Sequence, residues 1–306
     1  MRFAPNEDQA TFLSVIDQLA EGDAAAWKTS PEWERFDWSA EFDGLMEANG
    51  FLDCANEETL GLVAAVAMTH RVARLPIAAE CAASAVLRPL FAPDLPRPLA
   101  VIEGDPQHPV RFLPVARSAL LIAGGEVRRA VLNPNAVSSV ESIFAYPMGV
   151  IAAGAVEWER VDADPEAVSD AWRIALAAEI GGALKGGLDS VIAHVKQRHQ
   201  FGRPLGSFQA VQHRLAAAAG KIEASYWLAL KAAQRIDPGD AAIAIGYAQE
   251  ASTRIVYDLH QFMGAMGLTL EHPLHRWTYR ARLLRSALGG AAANLQSVAE
   301  RRWRAA

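Results

Sequence analysis

The chain has 306 residues and a mass of 33.0 kDa, enough for two compact units with a buried core, which excludes disordered polypeptides and small disulfide scaffolds. Hydrophobic residues make up 51% and charged residues 21%, with a mean hydropathy of +0.07, and Arg, Glu or Gly interrupts every apolar run before bilayer length, so no membrane-spanning helix is expected. A net charge of −6 and a pI near 5.8 provide no general field for nucleic acid, yet leave room for a local cationic cluster.

The opening residues, MRFAPNEDQATF, carry acid and no apolar core after the basic residue, so neither a secretory signal nor a transit peptide is expected, and the expected compartment is the cytoplasm. Residues 6 to about 92 predict helices over DQATFLSVIDQLAEG, PEWERFDWSAEFDGLMEANGFL, NEETLGLVAAVAMTHRVARL and PIAAECAASAVLRPL. Each repeats apolar residues at three- or four-residue spacing and carries Asp, Asn, Ser or Pro near its start. From Pro93 to about Val161 prolines punctuate short aliphatic runs, LAVIE, VRFLPVA, ALLIAGG, EVRRAVL and AVEWERV, which predict short strands. From Asp164 onward the chain is Ala-rich and periodic: Ile180, Leu184, Leu188, Val191 and Val195 form one stripe, and Val211, Leu215, Ile222 and Tyr226 another. Gly202 to Gly206 separates these two helices, Asp237-Pro238-Gly239-Asp240 opens a third that runs to about Met263, and a fourth is expected from Pro273 to about Trp303. The fold class is therefore mainly α with a small β domain: a helical N-terminal domain over 1–92, a reduced middle β domain over 93–163 and a C-terminal four-helix bundle over 164–306.

Common chemistries are excluded first. No GxGxxG or GxxxxGK[ST] segment occurs, and no GxSxG elbow. Cys54 and Cys81 stand far apart with no metal-ligand spacing and are expected as reduced, partly buried thiols. His272 and His275 lie three apart and His194 and His199 five apart, without a third ligand nearby, so solvated or hydrogen-bonded roles are expected and no metal site. Four glycines of IGGALKGG (Gly181, Gly182, Gly186, Gly187) sit mid-helix, where each costs roughly 1 kcal/mol against Ala; they imply close approach of another backbone, a ligand or a tightly packed helix. Lys196, Arg198 and His199 end one helix, Arg203 sits in the following turn and Arg214 in the next helix. With Gln200, Gln209 and Phe201 beside them, this corner suits a pyrophosphate and a flat ring, although basic residues at a helix C-terminus also serve as caps.

The stretch from Arg198 to Ala216 resembles the RxQFGxPxGxFQxxxHxLA signature of the acyl-CoA dehydrogenase family. The block from Gln261 to Arg276 is similar to that family's QxxGGxGxTxExxxxR segment, with Ala265 where the second glycine is usual. The resemblance implies oxidation of an acyl-CoA thioester to the 2-enoyl-CoA, with FAD as cofactor: a carboxylate takes the α proton and the β hydrogen leaves as hydride to the flavin. It also implies that Arg198, Gln200, Phe201 and Gln209, together with Gln261, Gly264 and Ala265, contact the adenosine-pyrophosphate part of an FAD whose ring sits in a neighbouring subunit.

The departures carry as much information. In one branch of the family the base lies 27 residues beyond the QxxGG glutamine, which here is Leu288; in another it lies 26 residues before the signature arginine, which here is Trp172. Neither side chain accepts a proton. The TExxxGSD-type segment that meets the flavin ring is missing between Pro93 and Val161. The pattern is similar to the short non-catalytic subunit of heteromeric (α2β2) acyl-CoA dehydrogenases, including those acting on CoA thioesters of steroid side chains, which implies a longer catalytic subunit as partner. Two alternatives stay open: a self-sufficient homomeric enzyme using Glu271 or Glu179 as an unorthodox base, and a flavin-free scaffolding bundle. The catalytic residues stay unknown.

Overall fold

The computed structural model describes residues 5–22 and 34–303; the first four residues of the opening stretch and the start of the second expected helix, 31–33, lie outside the described residues. Four helices precede the strands: α1 (Glu7–Gly22), α2 (Ala40–Ala48), α3 (Gly61–Ala73) and α4 (Arg88–Phe91). The second is shorter than the periodicity predicts. Ser39 starts it by accepting from the Phe42 N–H, and Gly50 at φ 67° turns the chain into a 3-10 segment over Phe51–Asn56. A π turn over Ala83–Leu87 leads into α4, just ahead of Pro89, which has no N–H to continue an α ladder.

The strands form two small sheets. β1 (Leu99–Glu103), β3 (Ser118–Ala123), β4 (Glu126–Val131) and β7 (Glu159–Arg160) lie in the order β1-β3-β4-β7, with β1 parallel to β3 and the other pairs antiparallel; β2 (Val110–Arg111), β5 (Val137–Val140) and β6 (Met148–Ile151) lie in the order β2-β6-β5. The expected strand over VRFLPVA stops after two residues, because Phe112 takes φ 66° and Pro114 begins a 3-10 turn.

The bundle consists of α5 (Pro165–Gln197), α6 (Gln209–Ala233), α7 (Pro238–Met263), α8 (Leu274–Leu284) and α9 (Gly290–Trp303), with a small hairpin of β8 (His199–Gln200) and β9 (Arg203–Pro204) between α5 and α6. Asp164 and Asp237 cap α5 and α7 through their side chains. The single fourth helix expected from Pro273 to Trp303 is in fact two. Leu288, Gly289 and Gly290 all take positive φ (52°, 81° and 76°), which breaks the ladder between α8 and α9.

One continuous core joins the N-terminal helices to the bundle, and the predicted stripe of Ile180, Leu184, Leu188, Val191 and Val195 lies wholly within it. The mid-helix glycines of α5 serve this packing. A Cβ on Gly182 would lie 2.1 Å from the His70 carbonyl oxygen, and one on Gly186 would lie 2.5 Å from that of Arg74. Both are contacts with the C-terminal half of α3, so helix packing accounts for them. α8 stitches onto the same place: Arg280 donates to the carbonyls of Ala73, Leu75 and Ile77, and the Trp277 indole to that of Arg74, satisfying groups that a helix end leaves open. Arg276, the last residue of the second motif, donates to the carbonyls of Glu34 and Pro76. Both cysteines are buried and unpaired, and burial pushes the Cys54 thiol up to about 12.

Candidate functional site

Because α5, α6 and α7 run antiparallel, the end of α5, the start of α6 and the end of α7 share one end of the bundle. The two motif blocks lie there. Arg198 closes α5: its N–H donates to the His194 carbonyl (2.8 Å) and its carbonyl accepts from the Leu205 N–H (2.8 Å), leaving the guanidinium exposed. Gln200 faces Arg203 across the hairpin. Phe201 sits at the tip at φ 55° with 87% of its surface exposed, its ring edge-on to Phe208 at 6.1 Å. The Arg203 guanidinium lies 4.0 Å from the Phe208 ring centroid, a cation–π contact that holds it flat. Gln209 opens α6 and is exposed.

On the facing element, Gln261 is exposed on the last turn of α7, Gly264 leaves the helix at φ 67° and ψ −147°, and Ala265 is exposed in the 3-10 turn Gly264–Leu268. Arg214 of α6 links the two blocks: it pairs with Asp258 of α7 and covers the Phe262 ring at 4.6 Å. Asp258, with Arg254 at 3.1 Å as well, is thereby neutralised. Between Ser190 and Ile222 the sequence holds Lys196, Arg198, Arg203, Arg214 and Lys221 and no Asp or Glu, so this end of an acidic protein is locally cationic. Exposed guanidinium groups, amide donors and an exposed aromatic ring suit the adenosine diphosphate half of FAD.

The opposite end of the bundle, where the start of α5 meets the first sheet, has different surroundings. Trp172 and Leu288, the two positions that the resemblance assigns to a base, lie 116 residues apart, yet both bond to one carboxylate: the Trp172 indole N–H donates to Glu103 Oε1 (2.8 Å) and the Leu288 backbone N–H to Glu103 Oε2 (2.8 Å). Sequence spacing gave no sign of Glu103, because it ends a β-strand far from either motif. The cleft below it, between β1, β2, α5 and the end of α8, is about 180 Å³ and is lined by Val101, Arg111, Met148, Leu176 and Leu283. That is below the roughly 300 Å³ at which small-molecule sites begin.

Arg111 lines this cleft and pairs with Glu179, one of the two candidate bases. Its guanidinium bonds Glu179 Oε1 at 2.5 Å and lies 5.1 to 5.4 Å from the ring centroids of Phe112, Tyr146 and Trp172. The Tyr146 hydroxyl donates to the same Oε1 at 2.7 Å. Burial pulls the Arg111 guanidinium down, but the charges of Glu179 and Tyr146 outweigh it and the net shift is upward; burial, reinforced by Glu179, raises the Tyr146 hydroxyl. A carboxylate committed to a buried cation and a phenol is structural. Glu271 is exposed in the turn before α8, where its N–H donates to the Thr269 hydroxyl (3.3 Å).

His272 and His275 take hydrogen-bonded roles. His272 accepts at Nδ1 from the Leu274 N–H and meets the Ser190 hydroxyl at Nε2 (3.2 Å); burial, with His194 and His275 nearby, lowers its pKa to about 4. His275 meets the Glu34 and His272 carbonyls. Among the described residues no group of three metal-ligating side chains exists, and no helix is long and apolar enough to cross a membrane.

Residues 169–302 match the family described as acyl-CoA dehydrogenase, C-terminal domain. Acyl-CoA dehydrogenase FadE34 of Mycobacterium tuberculosis is 32% identical over 162 residues, a match spanning 51% of this chain and 23% of that protein. Among solved structures, a chain of the ChsE4-ChsE5 complex from Mycobacterium tuberculosis superposes with a TM-score of 0.79 at 21% identity over 98% of each chain. A chain of the Tcur3481-Tcur3483 steroid ACAD G363A variant does so with a TM-score of 0.73 at 23% identity, over 97% of this chain and 98% of that one. The fold is that of the acyl-CoA dehydrogenase structures, and residues 169–302 match that family's C-terminal domain, while the chain spans well under half the length of the curated relatives it matches.

Proposed function

We propose that this protein is an auxiliary subunit of an acyl-CoA dehydrogenase: it clasps the adenosine-pyrophosphate end of an FAD whose ring lies in a longer catalytic partner, and does not itself deprotonate substrate. The asymmetry between the two regions carries the reading. The cationic end of the bundle displays Arg198, Gln200, Phe201, Gln209 and Gln261 to solvent, while the two base positions hold a tryptophan and a leucine joined through Glu103 above a small cleft.

When bound, FAD accepts the substrate's β hydrogen as hydride. The role of this chain is to bind and orient the dinucleotide: Arg198 and Arg203 supply positive charge for the pyrophosphate, Gln200 and Gln261 supply donors, and Phe201 supplies a stacking face. The partner is a longer acyl-CoA dehydrogenase chain, and the substrate class is a CoA thioester of a bulky acyl group such as a steroid side chain. The likeness to chains of the ChsE4-ChsE5 complex and of a two-component steroid ACAD supports this choice.

The test is to purify the chain alone and co-expressed with a longer acyl-CoA dehydrogenase chain of the same organism, and to record flavin absorbance and acyl-CoA oxidation for each. The expected result is a colourless isolated chain, a yellow active complex, and loss of FAD from the complex on Arg198→Ala or Gln261→Ala. Stoichiometric flavin and thioester desaturation by the isolated chain would overturn the reading.

A further inference from the structure

A second cavity lies well away from the hairpin, between α1, α3 and the C-terminal half of α6. Tyr226 to Gln234 line it, whereas the hairpin precedes Gln209; at 1.5 Å per residue the two are about 30 Å apart along α6. Its volume is about 470 Å³, within the range of small-molecule sites. Leu13, Val63, Ala64, Ala67 and Leu230 form apolar walls. Two cations, Arg71 and Lys231, stand among its lining residues, and no Asp or Glu does among the described residues.

Arg71 is anchored with donor capacity to spare. Its Nε donates to Asp17 (3.1 Å), and its Nη1 lies 3.5 Å from both the Ala67 carbonyl and the Tyr226 hydroxyl, which leaves Nη2 without an acceptor among the described residues. The Tyr226 ring is held in turn by His70, centroid to centroid at 4.5 Å. Lys231 is tethered at Nζ to Asp240 (2.7 Å), a residue outside the cavity lining. A guanidinium with an open edge is matched by a carboxylate, and apolar walls beside it are matched by a hydrocarbon chain.

We propose that this cavity is a binding site for an aliphatic monocarboxylate, its chain against Leu13, Val63 and Leu230 and its carboxylate on Arg71. The site is independent of the dinucleotide-binding reading, since it shares no residue with the hairpin or with the end of α7.

Isothermal titration of the full chain with decanoate, and with decanol as the uncharged homologue, tests this. Decanoate binds one to one and decanol at least about tenfold more weakly, a ratio equivalent to about 1.4 kcal/mol. Arg71→Gln loses about tenfold for decanoate and leaves decanol unchanged. Val63→Trp, at a half-buried wall position, fills the cavity and abolishes binding of both; should it fail to fold, the Arg71→Gln comparison decides. Absence of decanoate binding to the wild type, equal affinities for decanoate and decanol, or undiminished binding by folded Val63→Trp would each overturn the proposal.

Discussion

Replacing Glu179 with Ala removes the counter-charge of a guanidinium that is 11% exposed and enclosed by three aromatic rings. Breaking such a pair from one side leaves an uncompensated buried charge and costs about 3–5 kcal/mol. At about 2–4 °C per kcal/mol for a chain of this size, the melting temperature falls by roughly 6 to 20 °C. Glu179→Gln keeps an acceptor for Tyr146 and loses the charge alone, so its cost is smaller, about 1–3 kcal/mol. The double variant Arg111→Met with Glu179→Leu removes both charges and fills the space with apolar atoms, and it recovers to within about 1 kcal/mol of wild type. Urea unfolding followed by circular dichroism measures all three, and adding Arg111→Met and Glu179→Leu singly closes the double-mutant cycle that isolates the coupling. A Glu179→Ala variant within about 1 kcal/mol of wild type, or a double variant as unstable as Arg111→Met and Glu179→Leu summed, would show that the pair does not hold the sheets to the bundle.

Three further outcomes follow from other contacts. Burial, with Arg74, Arg71 and Lys185 nearby, lowers the His70 pKa from 6.5 to about 3; between those values the unfolded chain holds the extra proton, so acidification below pH 6.5 costs about 1.4 kcal/mol per unit, and equal pH slopes for wild type and His70→Asn between pH 7 and 5 would refute this. Gly182→Ala puts a Cβ 2.1 Å from a backbone oxygen, whereas Gly220 has nothing within 4 Å of its Cβ position; thermal melts show the first destabilised by about 1–3 kcal/mol and Gly220→Ala stabilised by about 0.5–1 kcal/mol. Glu103→Ala frees the Leu288 N–H, costs about 1 kcal/mol and speeds hydrogen exchange at that amide; an unchanged exchange rate would mean the carboxylate is not what holds the corner between α8 and α9.

Helices, their stripes and the position of both motifs were legible in the sequence because each depends on neighbours a few residues away. The stripe on α5, the Asp caps of α5 and α7 and the Gly turn at the hairpin are of this kind. So was the absence of a carboxylate at positions 172 and 288. What no periodicity contains is which distant side chains meet. Leu288 packs a non-glycine residue into a positive-φ corner, so the expected single helix from Pro273 to Trp303 became two, a tertiary override of local propensity.

Glu103 reaching both Trp172 and Leu288, and Arg111 claiming Glu179 from 68 residues away, exist only once the sheets have docked on the bundle. The sequence by itself determined the resemblance to the acyl-CoA dehydrogenase family and the cationic turn between two helices, since those reside in contiguous residues. The tertiary structure alone decided that the buried Glu179 carboxylate is committed to Arg111 and Tyr146, because a charge taken out of water must find its counter-charge wherever packing brings one close.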